Sequence, residues 1–385
     1  MSSLGTSDEL TRLVCELVAI ESVNPDLVAE GSGEGAIAGF VATWLRSEGL
    51  NVEIVEPAPG RPSVVGVLGG TGGGQSLMLN SHMDTVGAGG MTDAFHPVVD
   101  SGRIYGRGAY DMKGSLAAIM LTAKLARQSG LAGDLVVTAV ADEEVASLGT
   151  SAVLERFRAD AAVVTEPTEL RLCLAHKGFV WIELEISGVA AHGSRPDIGV
   201  DAVAHAGRIL TGITELDRGL RGGPRHPLLG TGSVHASVIE GGQELSTYPA
   251  RCVVKLERRT VPGEDGSTVL DEMNRLIAHA RESDPDLSAS ARVLLERAPS
   301  EAGEDGDVAA AVSEAARHAL GRPPESIGVA YWMDMALLNA AGIPTVAFGP
   351  IGEGAHADVE WVDIASLELC VQTYLRVAES ICGRR

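Results

Sequence analysis

The alternation of short apolar runs with helical segments restricts the fold of this chain more than any other feature. Runs at 52–55, 63–68, 76–80, 134–140, 161–165 and 345–348 read as strands. Between them lie stretches with helical periodicity. The clearest is 114–128, where Leu116, Ile119, Met120, Ala123 and Leu125 form an apolar stripe ahead of Gly130. Upstream, Leu10, Leu13, Val14 and Leu17, then Ile37, Phe40, Val41, Trp44 and Leu45, mark two helices separated at Asn24-Pro25. Strands alternating with helices predict an α/β layered domain. The texture changes at 179–292, where the alternating strands WIELEIS and RCVVKLERR accompany helices near 201–217 and 268–282, the pattern of a separate α+β unit. Because α/β patterning resumes at 308–320, the expectation is a discontinuous main domain, residues 1–178 and 293–385, with residues 179–292 inserted into it.

Composition sets the outer limits. A chain of 385 residues with 45% hydrophobic and 21% charged residues has the material for more than one packed core, which excludes disorder and fibrous repeats. The net charge of -22 opposes the phosphate neutralisation that nucleic acid or an anionic membrane requires, so neither is an expected partner. Cys15, Cys173, Cys252, Cys370 and Cys382 are odd in number and never form a CxxC pair, so they read as reduced thiols. The first twenty residues lack a basic region and carry Glu16 within their apolar stretch, which fails as a signal peptide; with no apolar run of membrane-spanning length, a cytoplasmic location is expected. The glycine-rich GGTGGGQS at 69–76 lacks GK[ST] and precedes a strand, so it reads as a turn and not as a phosphate loop.

Acids and histidines gather just beyond the ends of the proposed strands. The 76–80 run leads into His82 and Asp84, the 134–140 run into Asp142, Glu143 and Glu144, the 161–165 run into Glu166, and the 345–348 run towards His356. Open α/β sheets bind ligands at those carboxyl ends. Asp111, in GRGAYDMKG before the helix at 114, reaches the same rim. Two imidazoles with several carboxylates and no thiolate suit zinc, cobalt or manganese better than calcium. His82, Asp111, Glu144, Glu166 and His356 are enough for two ions if one carboxylate, most naturally Asp111, bridges them. In an extended HxD segment the side chains of His82 and Asp84 point the same way, so Asp84 is expected to accept the second imidazole N–H. Of the adjacent Glu143 and Glu144, one can ligate while the other holds a metal-bound water as general base.

These motifs resemble a known family. HMDTV at 82–86, GRGAYDMKG at 106–114, ADEEVASLGT at 141–150, TEPT at 165–168 and GEGAHADVEWV at 352–362 are similar, in order and spacing, to the metallopeptidases typified by acetylornithine deacetylase, succinyl-diaminopimelate desuccinylase and glutamate carboxypeptidase. The resemblance implies a zinc-exopeptidase-like catalytic domain with an inserted α+β lid and dimerisation domain, and two Zn2+ per chain, with Co2+ or Mn2+ as possible substitutes. It implies that one zinc takes His82, Asp111 and Glu166 and the other Asp111, Glu144 and His356, with Glu143 as general base, Asp84 orienting His82, and a cis peptide after Asp111. In the inserted domain, GVAAHGSRP places His192 where the family has a histidine that contacts the scissile carbonyl, often across a dimer interface, and ERRTVPGE offers Arg259, with Arg258 second, for a substrate carboxylate.

Two departures concern specificity. Ser246 stands where many members carry asparagine, and Met333 precedes Asp334 where threonine is common. The implied activity is hydrolysis of a C–N amide bond by a metal-bridging hydroxide, most directly deacylation of an N-acyl amino acid, with a di- or carboxypeptidase acting on a dipeptide-like substrate as the alternative. The expected assembly is a homodimer. A non-catalytic relative would have lost a ligand or the base, and all are present; a two-metal phosphoesterase would want a basic or glycine-rich phosphate cradle, and the sequence offers none.

Overall fold

The computed structural model describes residues 3–383. The chain divides into two compact units: Met1–Leu174 with Ala302–Ile327 and Met333–Arg385, and Ala175–Glu301 with Gly328–Trp332.

The first unit is built on a mixed sheet. Its strands run in the order Asn51–Val55, Ser63–Leu68, Leu135–Val140, Leu77–His82, Ala161–Val164, Thr345–Ala347 and Leu172–His176, the last belonging to this unit as far as Leu174. Leu77–His82 pairs in parallel with both Leu135–Val140 and Ala161–Val164, and Thr345–Ala347 is parallel to Ala161–Val164. Every residue of Leu77–His82, Leu135–Val140 and Ala161–Val164 is buried. Continuous apolar runs are what parallel strands covered on both faces require, which is why these segments show no alternation in the sequence. The helices Ser3–Val18, Gly35–Ser47, Gly114–Ala126, Leu148–Arg156, Asp307–Leu320 and Ile364–Ile381 belong to this unit.

Gly114–Ala126 differs from the amphipathic helix its stripe suggests. It is buried almost all round, and the hydroxyl of Thr122 is satisfied by donating to the Ala118 carbonyl at 2.8 Å. A helix apolar on all sides belongs in an interior. A second, small antiparallel sheet joins Val98–Asp100, Arg103–Tyr105, Trp361–Asp363 and Gly352–Glu353. These strands of two or three residues carry too few positions for a periodicity to register. The 69–76 segment is a turn, with Gly72 and Gly73 at positive φ and the Gly70 N–H donating to Asp134 Oδ1 at 2.8 Å. All five cysteines are free thiols. Among the described residues, no helix is long and apolar enough to cross a membrane.

The second unit is a four-stranded antiparallel sheet in the order Ser233–Gly241, Arg251–Thr260, Gly178–Ser187, Ser288–Arg297, with helices Ala202–Gly222 and Gly266–Ser283 packed against it. The alternation in WIELEIS puts Ile182, Leu184 and Ile186 into a core with Ile209, Ile213, Met273 and Ile277. Asp201 and Asp265 cap the two helices, accepting from the N–H groups of Val203 and Ala204 and of Thr268. The outer strands Ser233–Gly241 and Ser288–Arg297 went unrecognised in the sequence because edge strands can carry small and polar residues, as SASARVLLER does.

Ile182 is fully buried and Ile239 is 52% exposed. Ile182→Ala should therefore destabilise the second unit by about 2–5 kcal/mol through lost transfer energy and a cavity, and Ile239→Ala by less than about 0.5 kcal/mol. Urea unfolding of the two variants checks this; equal losses would place the core of this unit elsewhere.

Candidate metal centre

The parallel strands deliver the site. His82 ends its strand beside Val140, the last residue of the neighbouring strand, so the turn carrying Glu143 and Glu144 lies next to it; Glu166 follows the next strand, which ends at Val164. His82 is buried, with Nε2 3.1 Å from Asp111 Oδ1 and 3.6 Å from Glu166 Oε1. Its Nδ1 lies 2.9 Å from the backbone carbonyl of Asp84 and 3.7 Å from that residue's carboxylate. With Nδ1 turned to Asp84, chiefly to its carbonyl, Nε2 is the nitrogen that faces Asp111 and Glu166. The Asp84 carboxylate accepts from Asn24 Nδ2 at 2.7 Å and from the backbone N–H groups of Glu143 at 3.1 Å and Glu144 at 3.3 Å.

Asp111 sits in a wide irregular turn, Ala109–Lys113, ahead of the buried helix, and the Asp111–Met112 peptide is cis. Its two oxygens face opposite ways. Oδ1 meets His82, and Oδ2 lies 3.4 Å from Nε2 of His356, which in turn is 3.0 Å from Glu144. Two triads result, His82 with Asp111 and Glu166, and Asp111 with Glu144 and His356, the ligand atoms of each lying within 4.8 Å of one another.

The electrostatics of this cluster call for a cation. Burial pushes the carboxyls of Glu143, Glu144 and Glu166 upward, and their like-charged neighbours add to it. Burial also works against the Asp111 carboxylate, but hydrogen bonds from His356 and His82 hold it well below the usual range. The hydrogen bond to Asp111, followed by that to Glu144, pushes His356 up to about 10. His82 is raised well above its ordinary value, its burial outweighed by the Asp111 hydrogen bond and the surrounding acids. The ion pairs of Asp111, Glu144 and Glu166 are to these two histidines. Protons on the imidazoles therefore stand where divalent ions would neutralise the same carboxylates. The donors, two imidazole nitrogens with carboxylate oxygens, fit a borderline transition metal.

Behind Glu143 and Glu144 lies a buried network absent from the sequence reading. Asp142, at φ 69°, binds Arg61 at 2.8 Å and Asn24 Nδ2 at 3.1 Å, and Arg61 also binds Glu34 through Nε at 2.8 Å. Asn24-Pro25 was legible as a helix break, and nothing local marked the amide as the link between Asp84 and Asp142. Asp334 is buried too, its carboxyl pushed up to about 6 by burial while it accepts from the Thr150 hydroxyl at 2.5 Å.

The other proposed site residues lie in the second unit. His192 is exposed, with Nδ1 2.8 Å from the Ser194 hydroxyl. The two arginines separate clearly. Arg258 is fully buried and held by Glu264 at 2.8 Å and Glu272 at 3.1 Å. Arg259 is 31% exposed, pairs with Glu257 at 2.8 Å and packs over the Phe179 ring. Ser246 is exposed, and its carbonyl accepts from the Gly193 N–H at 2.7 Å.

Fold and donor set together define a metal-dependent hydrolase of the metallopeptidase and amidohydrolase class, and sequence comparison agrees. Residues 78–380 match peptidase family M20/M25/M40, and the chain belongs to that family. It is 31% identical to an acetylornithine deacetylase of Myxococcus xanthus, with 99% of each chain covered. A tripeptidase of Staphylococcus aureus has the same fold, with a TM-score of 0.80, 22% identity and 98% of each chain covered. A dinuclear metal-binding M20 peptidase of Bacillus subtilis superposes with a TM-score of 0.75 at 19% identity, again over 98% of each chain.

Loading the centre requires His82 and His356 to lose their protons. Since both are raised in the metal-free protein, metal binding should release protons at pH 7, and affinity should rise with pH across 6–8 by about tenfold per unit for each proton displaced. Calorimetric titration of Co2+ in buffers of different ionisation enthalpy measures this directly. An affinity flat across that range would mean that the imidazoles are not the ligands.

Proposed function

We propose that this chain is a two-zinc deacylase that hydrolyses the amide bond of an N-acyl amino acid. The observation that carries the proposal is a pair of donor triads sharing Asp111, with Glu143, outside both triads, close enough to feel the charges of Glu166, His82 and Glu144. His82, Asp111 and Glu166 would hold one ion and Asp111, Glu144 and His356 the other. Bound there, the ions supply Lewis acidity towards the amide carbonyl and towards water.

The chain's own groups handle the protons and the orientation. Glu143 accepts a proton from the attacking water and returns it to the leaving amine, and burial among neighbouring acids raises its carboxyl above the ordinary range, which strengthens it as a base. Asp84 holds the backbone N–H of Glu143 and so fixes the turn from which the base projects. In the second unit, His192 donates to the oxyanion, and Arg259 receives the substrate carboxylate in its guanidinium fork. Support for Arg259 over Arg258 comes from its exposure, since Arg258 is spent on Glu264 and Glu272. Assembly as a homodimer, with residues 179–292 serving as lid and dimer contact, is part of the same proposal and is supported by the family resemblance.

A di- or carboxypeptidase using the same donor set is the second reading. Amine release from N-acetyl, N-succinyl and N-carbamoyl amino acids and from dipeptides, with chelated protein compared against zinc- and cobalt-loaded protein, separates the two. Turnover confined to acyl amino acids supports the deacylase; turnover confined to dipeptides replaces it with the peptidase. Glu143→Gln should lower kcat by about 10²–10⁴-fold with metal content unchanged, and loss of metal in that variant would make Glu143 a ligand instead. Arg259→Met should raise KM about 10–100-fold for carboxylate-bearing substrates with little change in kcat; an unchanged KM removes Arg259 from the substrate site.

A further inference from the structure

Arg107 and Glu360 form a buried ion pair, Nη1 to Oε2 at 2.6 Å, their side chains 2% and 1% exposed. Neither touches the ligating atoms. Glu360 Oε1 accepts the backbone N–H groups of Tyr110 at 2.9 Å and Asp111 at 3.0 Å, and Oε2 accepts that of Gly108 at 3.0 Å. Arg107 reaches the other way, donating from Nη2 to the Ala357 carbonyl at 2.8 Å and from Nε to the Gly87 carbonyl at 3.0 Å. One pair therefore grips the main chain at Asp111 and at the residue after His356. Both grips act on irregular backbone. Gly108 lies at φ 79°, where a Cβ would run into Thr85 and Lys113, and His356 is a non-glycine residue at φ 62° that its surroundings must hold in place.

We propose that the Arg107–Glu360 pair is a positioning device for the metal position formed by Asp111, Glu144 and His356. It fixes two of that position's three donors, and only Asp111 of the three in the position formed by His82, Asp111 and Glu166. Losing the pair should therefore impair the two positions unequally. Packing alone does not account for the arrangement, because a buried ion pair can often be exchanged for apolar residues without loss of stability, whereas no apolar pair could satisfy three N–H groups and two carbonyls. The inference rests on the reading that the two triads hold metal ions.

The experiment is a titration of metal-free protein with Co2+, followed by calorimetry and by the visible absorption of the bound ion. Wild type should take up two ions per chain. Glu360→Gln keeps the side chain's size but turns an NH2 group on the N–H donors it formerly accepted from, and Arg107→Lys keeps the charge but loses the fork. In both variants the second ion should bind about 10–100-fold more weakly and the first by no more than about twofold, with the larger change in absorption for the second ion. Adding Glu360→Gln to His356→Ala, where the second position is already lost, should change the affinity of the remaining ion by no more than about twofold, the spread expected where no coupled element remains. Wild-type affinity for both ions in Glu360→Gln and Arg107→Lys overturns the inference while leaving two-ion binding intact, and equal weakening of both ions overturns the asymmetry on which it stands. A wild type that fails to bind two ions overturns the metal reading instead. Should Glu360→Gln fail to fold, as circular dichroism would reveal, Arg107→Lys carries the same measurement.

Discussion

The structure is organised around a single carboxylate, Asp111, whose two oxygens each face an imidazole. Four carboxyls collected in a buried space repel one another and lose hydration, so the cluster must either take up protons or be met by positive charge. The groups that face it with positive charge are His82 and His356, both raised above their ordinary value by the acids around them. A divalent ion in each triad offers more charge at shorter range. The electrostatic demand therefore originates in the fold itself, which brings the ends of parallel strands together and sets an acid or a histidine at each.

Much of this was legible because the same physics writes both sequence and fold. Strands covered on both faces must be unbroken apolar runs, so the segments ending near His82, Val140 and Val164 stood out, and the residues beyond them had to lie at one rim. Asp111 was legible because the long helical stretch beginning at Gly114 fixes where its loop ends. In the second unit, the period-two pattern of WIELEIS marked its strand.

What escaped falls into two kinds. Edge strands and the two- and three-residue strands around Trp361–Asp363 lack the length or burial that imposes a pattern. Interactions made by the main chain leave no residue signature at all. His82 donates to the carbonyl of Asp84, a contact available to any residue type and one that the HxD spacing does not announce. Arg61, Asn24, Arg107 and Glu360 are charged or polar residues whose partners lie far away in sequence, and only the folded chain shows that each is buried and fully engaged.

Chemistry and specificity are also written at different depths. All five proposed ligands and Glu143 belong to the first unit, on strand ends and turns held by buried hydrogen bonds, where a change of residue type is felt by several neighbours at once. Ser246 and Arg259 belong to the second unit and are exposed or partly so, which frees them to differ among proteins that share one reaction. Ser246 offers a hydroxyl where an amide would offer two donors and a carbonyl, so an acyl group recognised there meets fewer and shorter-reaching hydrogen-bonding groups. A hydrophobic pocket discriminates weakly against an added hydroxyl or methylene, whereas a site built to hydrogen-bond strongly rejects an analogue that lacks the matching group. In the proposed deacylase, a serine in that place would leave selection to size and fit more than to hydrogen bonding, and the carboxylate would be the end of the substrate offered to Arg259.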